Sequence, residues 1–230
     1  MTQVAYLDAH YTGSMRTGKM WAAAATFNTF DQDTVLDREA FRQHPVLVVK
    51  SGAIGLQHML GDGRQTISVI YFEDEVIDFR YLGRVSGKLV CILPVTACLY
   101  KGDDFDAMKH DNPQFEASQS AGAARQQYYA AQHSVDLARK SAIEKLASFI
   151  LECRKRQNLG RALTVSLRLR RTDIADYMGL RVETLSRAFS KLKKMQLIDA
   201  DETDEIFIRN EPALRQLANG RTIGNRTCWK

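Results

Sequence analysis

The sequence contains no run of about 18 or more apolar residues, which excludes a helix able to cross a bilayer. Its four cysteines, Cys91, Cys98, Cys153 and Cys228, lie far apart and never form a CxxC pair. That spacing argues against a disulfide framework and against a structural zinc site, and fits reduced thiols in a cytoplasm. The G-x-S-x-G, H-E-x-x-H and Walker patterns are also missing, so no residue set stands out to carry enzyme chemistry. The first residues, MTQVAYLDAHYTGSM, carry Asp8 early beside only brief apolar patches, and read as a mature cytosolic start rather than a signal peptide.

What is present is enough for one large or two modest domains: 230 residues, 45% of them hydrophobic. The net charge of +5 is unevenly placed. Residues 1–138 hold 12 Lys/Arg against 16 Asp/Glu, a balance of −4, whereas residues 139–230 hold 20 against 11, a balance of +9. An acidic part joined to a basic part suggests that the basic part meets a polyanion, although a solvated basic face would give the same count.

From about 27 to 109 the chain reads as short strands. HPVLVVKSGAIGLQHMLGDGRQTISVIYF holds two β-rich runs around Gly61-Asp62-Gly63, a hairpin-type turn. GKLVCILPVTACLYKGDDF adds two more apolar runs bent at Pro94. Such spacing predicts a β-sandwich or β-roll. Between 111 and 138 the texture changes to a heptad series: Ala117, Ala121, Ala124, Tyr128, Ala131, Val135 and Ala138, spaced 4, 3, 4, 3, 4, 3. This stripe follows one face of a long helix. Its small side chains admit either a partner helix across a two-fold axis or the chain's own β domain; a homodimer is expected.

Ser141 followed by Glu144 marks a new helix start, with Ile143, Leu146, Ala147, Ile150 and Leu151 as its apolar stripe. LTVSLRLRR alternates as a strand would. Three domains are therefore expected: 1–110, a β-roll; 111–138, a dimerisation helix; 139–230, a basic unit.

Within that unit, RRTDIADYMGLRVETLSRAFSKLKKMQLI predicts a short helix from Thr172 to Met178 with Ile174, Ala175 and Met178 inward. Gly179 supplies a left-handed cap. A second helix follows from Val182 to about Met195, burying Leu185, Phe189 and Leu192. QLIDADETDEIFIRN then gives a strand, an acidic turn and a strand. The whole is an α+β chain ending in a winged helix-turn-helix. A major groove admits one helix. Glu183, Ser186 and Arg187 are the candidate base readers: Arg187 can give two hydrogen bonds to guanine, and Glu183 can accept from a cytosine amine. Arg170, Arg171, Arg181, Lys191 and Lys194 are placed for phosphates, which position without specifying.

IADYMGLRVETLSRAFSKLKKMQLI resembles the DNA-binding module of the cyclic-AMP receptor protein and fumarate–nitrate reductase regulator superfamily (CRP/FNR). Its E-T-L-S-R core, Glu183 to Arg187, is nearer the anaerobic-regulator branch than the cyclic-AMP branch. The resemblance implies a bacterial, cytoplasmic homodimer that binds palindromic double-stranded DNA with TTGAT-like half-sites and works with RNA polymerase. It also implies a cyclic-nucleotide-binding-like β-roll ahead of the dimer helix. One departure is Arg181, which stands where relatives have a Ser or Thr N-cap, so that cap is lost.

The effector of such a regulator stays open in the sequence. The Gly-Glu-Leu and Arg-(Ser/Thr)-Ala segments that hold a cyclic phosphate are missing, and the acidic run Glu73, Asp74, Glu75 and Asp78 would repel one. No cysteine precedes Cys91, so an N-terminal iron–sulfur cluster, which takes about four thiolates, is not expected. Five scattered histidines, His10, His44, His58, His110 and His133, leave haem and nitric-oxide sensing as an alternative reading. A thiol switch at Cys91, Cys98 or Cys153 is a further one, though it needs exposure and a lowered thiol pKa. The expectation is a regulator without cofactor or metal; the alternative is one gated by a small molecule bound in the β-roll.

Overall fold

The computed structural model describes residues 25–82, 87–157, 163–200 and 205–221. They fall in two compact units, divided between Tyr129 and Ala130. The junction read from the sequence near 139 thus lies inside the second unit. His10, Cys228 and the acidic turn at 201–204 lie outside the described residues.

The first unit carries eight strands: β1 (Thr26–Phe30), β2 (Val35–Leu36), β3 (Val46–Ser51), β4 (Ile54–Met59), β5 (Gln65–Tyr71), β6 (Val76–Asp78), β7 (Lys88–Cys91) and β8 (Val95–Tyr100). They form two antiparallel four-stranded sheets, ordered β1-β8-β3-β6 and β2-β7-β4-β5. Between the sheets lies a core that includes Leu47, Val49, Ile54, Ile77, Phe79, Leu89, Cys91 and Leu99. The run Val46-Leu47-Val48-Val49 lacks polar alternation because both of its faces are covered. Leu47 and Val49 point into that core, while Val46 and Val48 join a second cluster with Cys98, Tyr100, Phe105 and Phe115. Gly52, at φ +91°, lies against the carbonyl of Pro94; a Cβ there would sit 2.0 Å from that oxygen, so only glycine fits.

Phe105 and Phe115 come from helices. A helix, α1 (Gly102–Asp111), occupies the end of the region expected to be strand. It is followed by α2 (Pro113–Arg139), the long helix. Asn112 starts α2: its Oδ1 accepts from the amides of Gln114 (3.1 Å) and Phe115 (3.0 Å), and Pro113 has no amide hydrogen to lose.

In the second unit, α3 (Ala142–Arg156) begins where Glu144 accepts from the amide and hydroxyl of Ser141, both at 2.8 Å. It buries Leu146, Ala147, Phe149, Ile150, Leu151 and Cys153, while Ile143 is half-buried. Then come β9 (Thr164–Ser166), α4 (Arg171–Met178), α5 (Val182–Lys194), β10 (Ile198–Ala200), β11 (Glu205–Ile208) and α6 (Glu211–Ala218). The strand expected through Leu169 stops at Ser166, although Leu167 and Leu169 stay buried. β9, β10 and β11 make one antiparallel sheet in the order β10-β11-β9, which forms the wing.

Candidate nucleic-acid interface

The turn between α4 and α5 is set by one residue. Gly179 adopts φ +61° and ψ +41°, and the amide of Leu180 bonds back to the carbonyl of Ala175 at 2.9 Å. That six-to-one closure ends α4 and turns the chain within three residues. Lys145 of α3 donates to the carbonyl of Met178 (3.2 Å), satisfying a group at the end of α4.

α5 has two sharply different faces. Leu185, Ala188, Phe189 and Leu192 are buried, at spacings of 3, 1 and 3. Glu183, Ser186, Arg187, Ser190, Lys191, Lys193 and Lys194 are exposed on the other side. The three candidate base readers thus share the solvent face of a thirteen-residue helix, within its first half. Val182 is also exposed, at 37%, one turn before Ser186. It lies outside the set read from the sequence, yet the i, i+4 relation to Ser186 places it on the same surface. Ser186 and Ser190 each donate their hydroxyl hydrogen to the carbonyl four residues earlier, Val182 at 3.0 Å and Ser186 at 3.1 Å.

The residues placed for phosphates sit differently from one another. Arg181 occupies the N-cap of α5 with extended backbone and makes no side-chain cap bond. Lys191 and Lys194 are exposed in the last turn. Arg170 precedes α4 and is ion-paired with the buried carboxylate of Asp173 (3.0 Å). Arg171 lays its guanidinium over the Phe189 ring, 3.7 Å from the centroid. Arg170 and Arg171 therefore also fix the helix pair.

On α2, all seven residues of the heptad series are exposed in the single chain. Tyr128 is 59% and Val135 53% exposed, a degree of solvent contact that apolar side chains on one continuous stripe seldom keep without a partner.

In the first unit, a cleft of about 620 Å³ is lined in part by Arg38, Phe41, Arg42, Phe79, Arg80 and Lys101. Its charges are already engaged in part. Arg80 holds Asp78 (2.8 Å) and Asp106 (2.6 Å), and its guanidinium pulls the Asp106 carboxyl down to about 2. Arg42 pairs with Glu39. Among the described residues no three His, Cys, Asp or Glu side chains converge as metal ligands. His58 is bonded to Ser68 (2.8 Å), and Cys91, Cys98 and Cys153 are buried, with burial pushing each thiol above its ordinary range. No described helix is long and apolar enough to cross a membrane.

Residues 144–217 match the Crp-like helix-turn-helix domain family. The chain is 32% identical over 171 residues to the nitrogen fixation regulation protein FixK of Rhizobium meliloti, covering 74% of this chain and 77% of that protein. It is also 32% identical over 171 residues to the transcriptional activatory protein AadR of Rhodopseudomonas palustris, covering 74% and 69%. Among solved structures, FixK2 from Bradyrhizobium japonicum superposes with a TM-score of 0.71 at 26% identity, over 87% of this chain and 98% of that one.

Proposed function

Because the chain belongs to the CRP/FNR family of DNA-binding transcription regulators, on its FixK- and FNR-like side, we propose that it acts as a homodimer on a palindromic promoter element. Two α2 helices pair through Ala117, Ala121, Ala124, Tyr128, Ala131 and Val135. The two α5 helices then enter successive major grooves on one face of the duplex, roughly 34 Å apart. Arg187 reads guanine through N7 and O6, while Glu183 and Ser186 take neighbouring bases of a TTGAT-like half-site. Arg181, Lys191 and Lys194 hold phosphates, with Arg170 and Arg171 beside them. The protein works in the cytoplasm and engages RNA polymerase from the bound promoter.

The observation that carries this reading is the shared solvent face of Glu183, Ser186 and Arg187 on a helix whose opposite face is locked into the core. Binding-site selection from random duplexes with purified protein tests it. The expected product is a two-fold symmetric site with TTGAT-like halves, bound about 10³-fold or more above scrambled duplex. Equal affinity for scrambled DNA would remove the reading.

For the first unit we infer that no resident cofactor is needed. Arg80, which lines the cleft, already has two carboxylates, so a cyclic phosphate would have to displace them. The reading in which a small molecule in the β-roll gates DNA binding remains the competitor, and the 620 Å³ cleft is the feature that favours it. Titrating cyclic nucleotide, or haem with nitric oxide, against DNA affinity separates the two.

A further inference from the structure

The last turns of α2 have a second face, and it does not point to solvent. His133 is 8% exposed and Asp136 8%, although their neighbours Ala131, Ser134 and Val135 are exposed. A helix turns 100° per residue, so His133 faces roughly opposite to Ala131 and Val135. Its ring lies flat on that of Tyr177 in α4, with centroids 3.9 Å apart and planes 4° from parallel. Phe149 of α3 also packs on Tyr177, its ring centroid 5.5 Å away and its plane tilted by 51°. One turn later, a methyl of Leu137 lies 3.5 Å from where a Cβ on Gly179 would be, against the turn that leads into α5. Asp136 holds Lys140 (2.7 Å), which also donates to Ser148 of α3 (2.7 Å). All of these contacts lie within the second unit.

We propose that His133 is a positioning residue for DNA recognition: its stack on Tyr177 fixes the recognition helix relative to the part of α2 that faces the partner protomer. This rests on the dimer reading given above. Ala131 and Val135 look toward the two-fold axis, and His133, between them in sequence, looks toward α4. A single helical segment thereby holds both the axis and the reading head. Rigidity in that segment sets the separation and angle of the two α5 helices, and a two-headed reader gains from its second head only when that geometry fits the duplex. Nε2 of His133 has no hydrogen-bond partner among the described residues. The ring thus serves as a flat plate, and another flat ring should replace it.

The test uses the full chain and two probes: a duplex with the selected palindrome, and one with a single half-site and a scrambled second half. In the wild type the palindrome should bind far more tightly. For His133→Ala the palindrome should weaken by about 100-fold, because bivalent gain of 10²–10⁴ is lost when geometry slips. Half-site affinity and dimer mass should stay unchanged. His133→Phe should restore palindrome binding, whereas His133→Leu, which fills space without a plate, should not. If His133→Ala fails to fold, the Phe and Leu variants decide. Equal behaviour of Phe and Leu, or parallel loss on both duplexes, overturns the proposal. A wild type with no palindrome advantage overturns the dimer reading itself, which separates the two failures.

Discussion

The β unit and the recognition helix treat positive charge in opposite ways. In the β unit, cations have partners in the fold: Lys50 with Asp74, Arg64 with Asp62, Arg80 with Asp78 and Asp106, Lys109 with Asp106. On α5 and its cap, Arg181, Arg187, Lys191, Lys193 and Lys194 make no ion pair among the described residues. A paired cation is already screened by its neighbour. An unpaired one, held on a rigid helix beside others of its sign, raises the local potential and lowers it only when a polyanion arrives. Net charge alone hides this difference; the pairing of individual side chains distinguishes the basic residues that can meet DNA.

The largest test concerns a basic group that the second unit hides. Burial drives the pKa of His133 from its ordinary 6.5 to about 4, with Lys145 and Arg156 adding to the fall and Asp136 opposing it; Glu152 of α3 also lines the site. The unfolded chain binds that proton at higher pH than the folded chain. Stability is therefore complete above pH 6.5, falls as pH drops toward 4, and levels off below. A shift of this size corresponds to at most on the order of 3 kcal/mol, less whatever solvent screens. Urea unfolding midpoints between pH 7 and 4.5 should drop in the wild type and drop less in His133→Phe. Equal slopes in both proteins would place the acid sensitivity elsewhere.

Next in size is Arg187→Ala. Loss of a bidentate guanine contact should reduce discrimination by about 1–3 kcal/mol, read as weaker cognate binding with little change on scrambled duplex. Equal loss on both would mean that Arg187 holds backbone, not base. The smallest effect sharpens the contrast between the β unit and the recognition helix. Lys194→Ala should weaken all duplexes alike and reduce the slope of log affinity against log salt by about 0.9. Arg64→Ala, which removes a paired cation from the β hairpin, should leave that slope unchanged. A change there would erase the distinction drawn between the two kinds of cation.

Much of the second unit is visible in the sequence because its determinants are local. A glycine after a short helix, apolar residues at 185, 189 and 192, and a serine three residues before a glutamate each act within one or two turns. The heptad stripe is local in the same sense. By contrast, α1 is hidden: Lys101 gives it no capping side chain, and Phe105 is its one fully buried side chain, too little to make a helical period. β9 reads too long because Leu167 and Leu169 are buried by packing rather than by pairing. The packing of His133 is hidden for another reason. It sits off the stripe, and its partner Tyr177 lies 44 positions away, so only the fold brings the two rings together.

The back-bonded hydroxyl of Ser186 has a consequence for the chemistry of the reading head. As held, its hydrogen belongs to the Val182 carbonyl, so lone pairs are what it turns outward. Glu183, when ionised, is of the same kind. The opening of α5 is thereby electron-rich at the scale of single atoms, inside a helix that is cationic as a whole. Exocyclic amines of adenine and cytosine are the groove atoms that suit such a spot, and a thymine O4 facing it would be turned away.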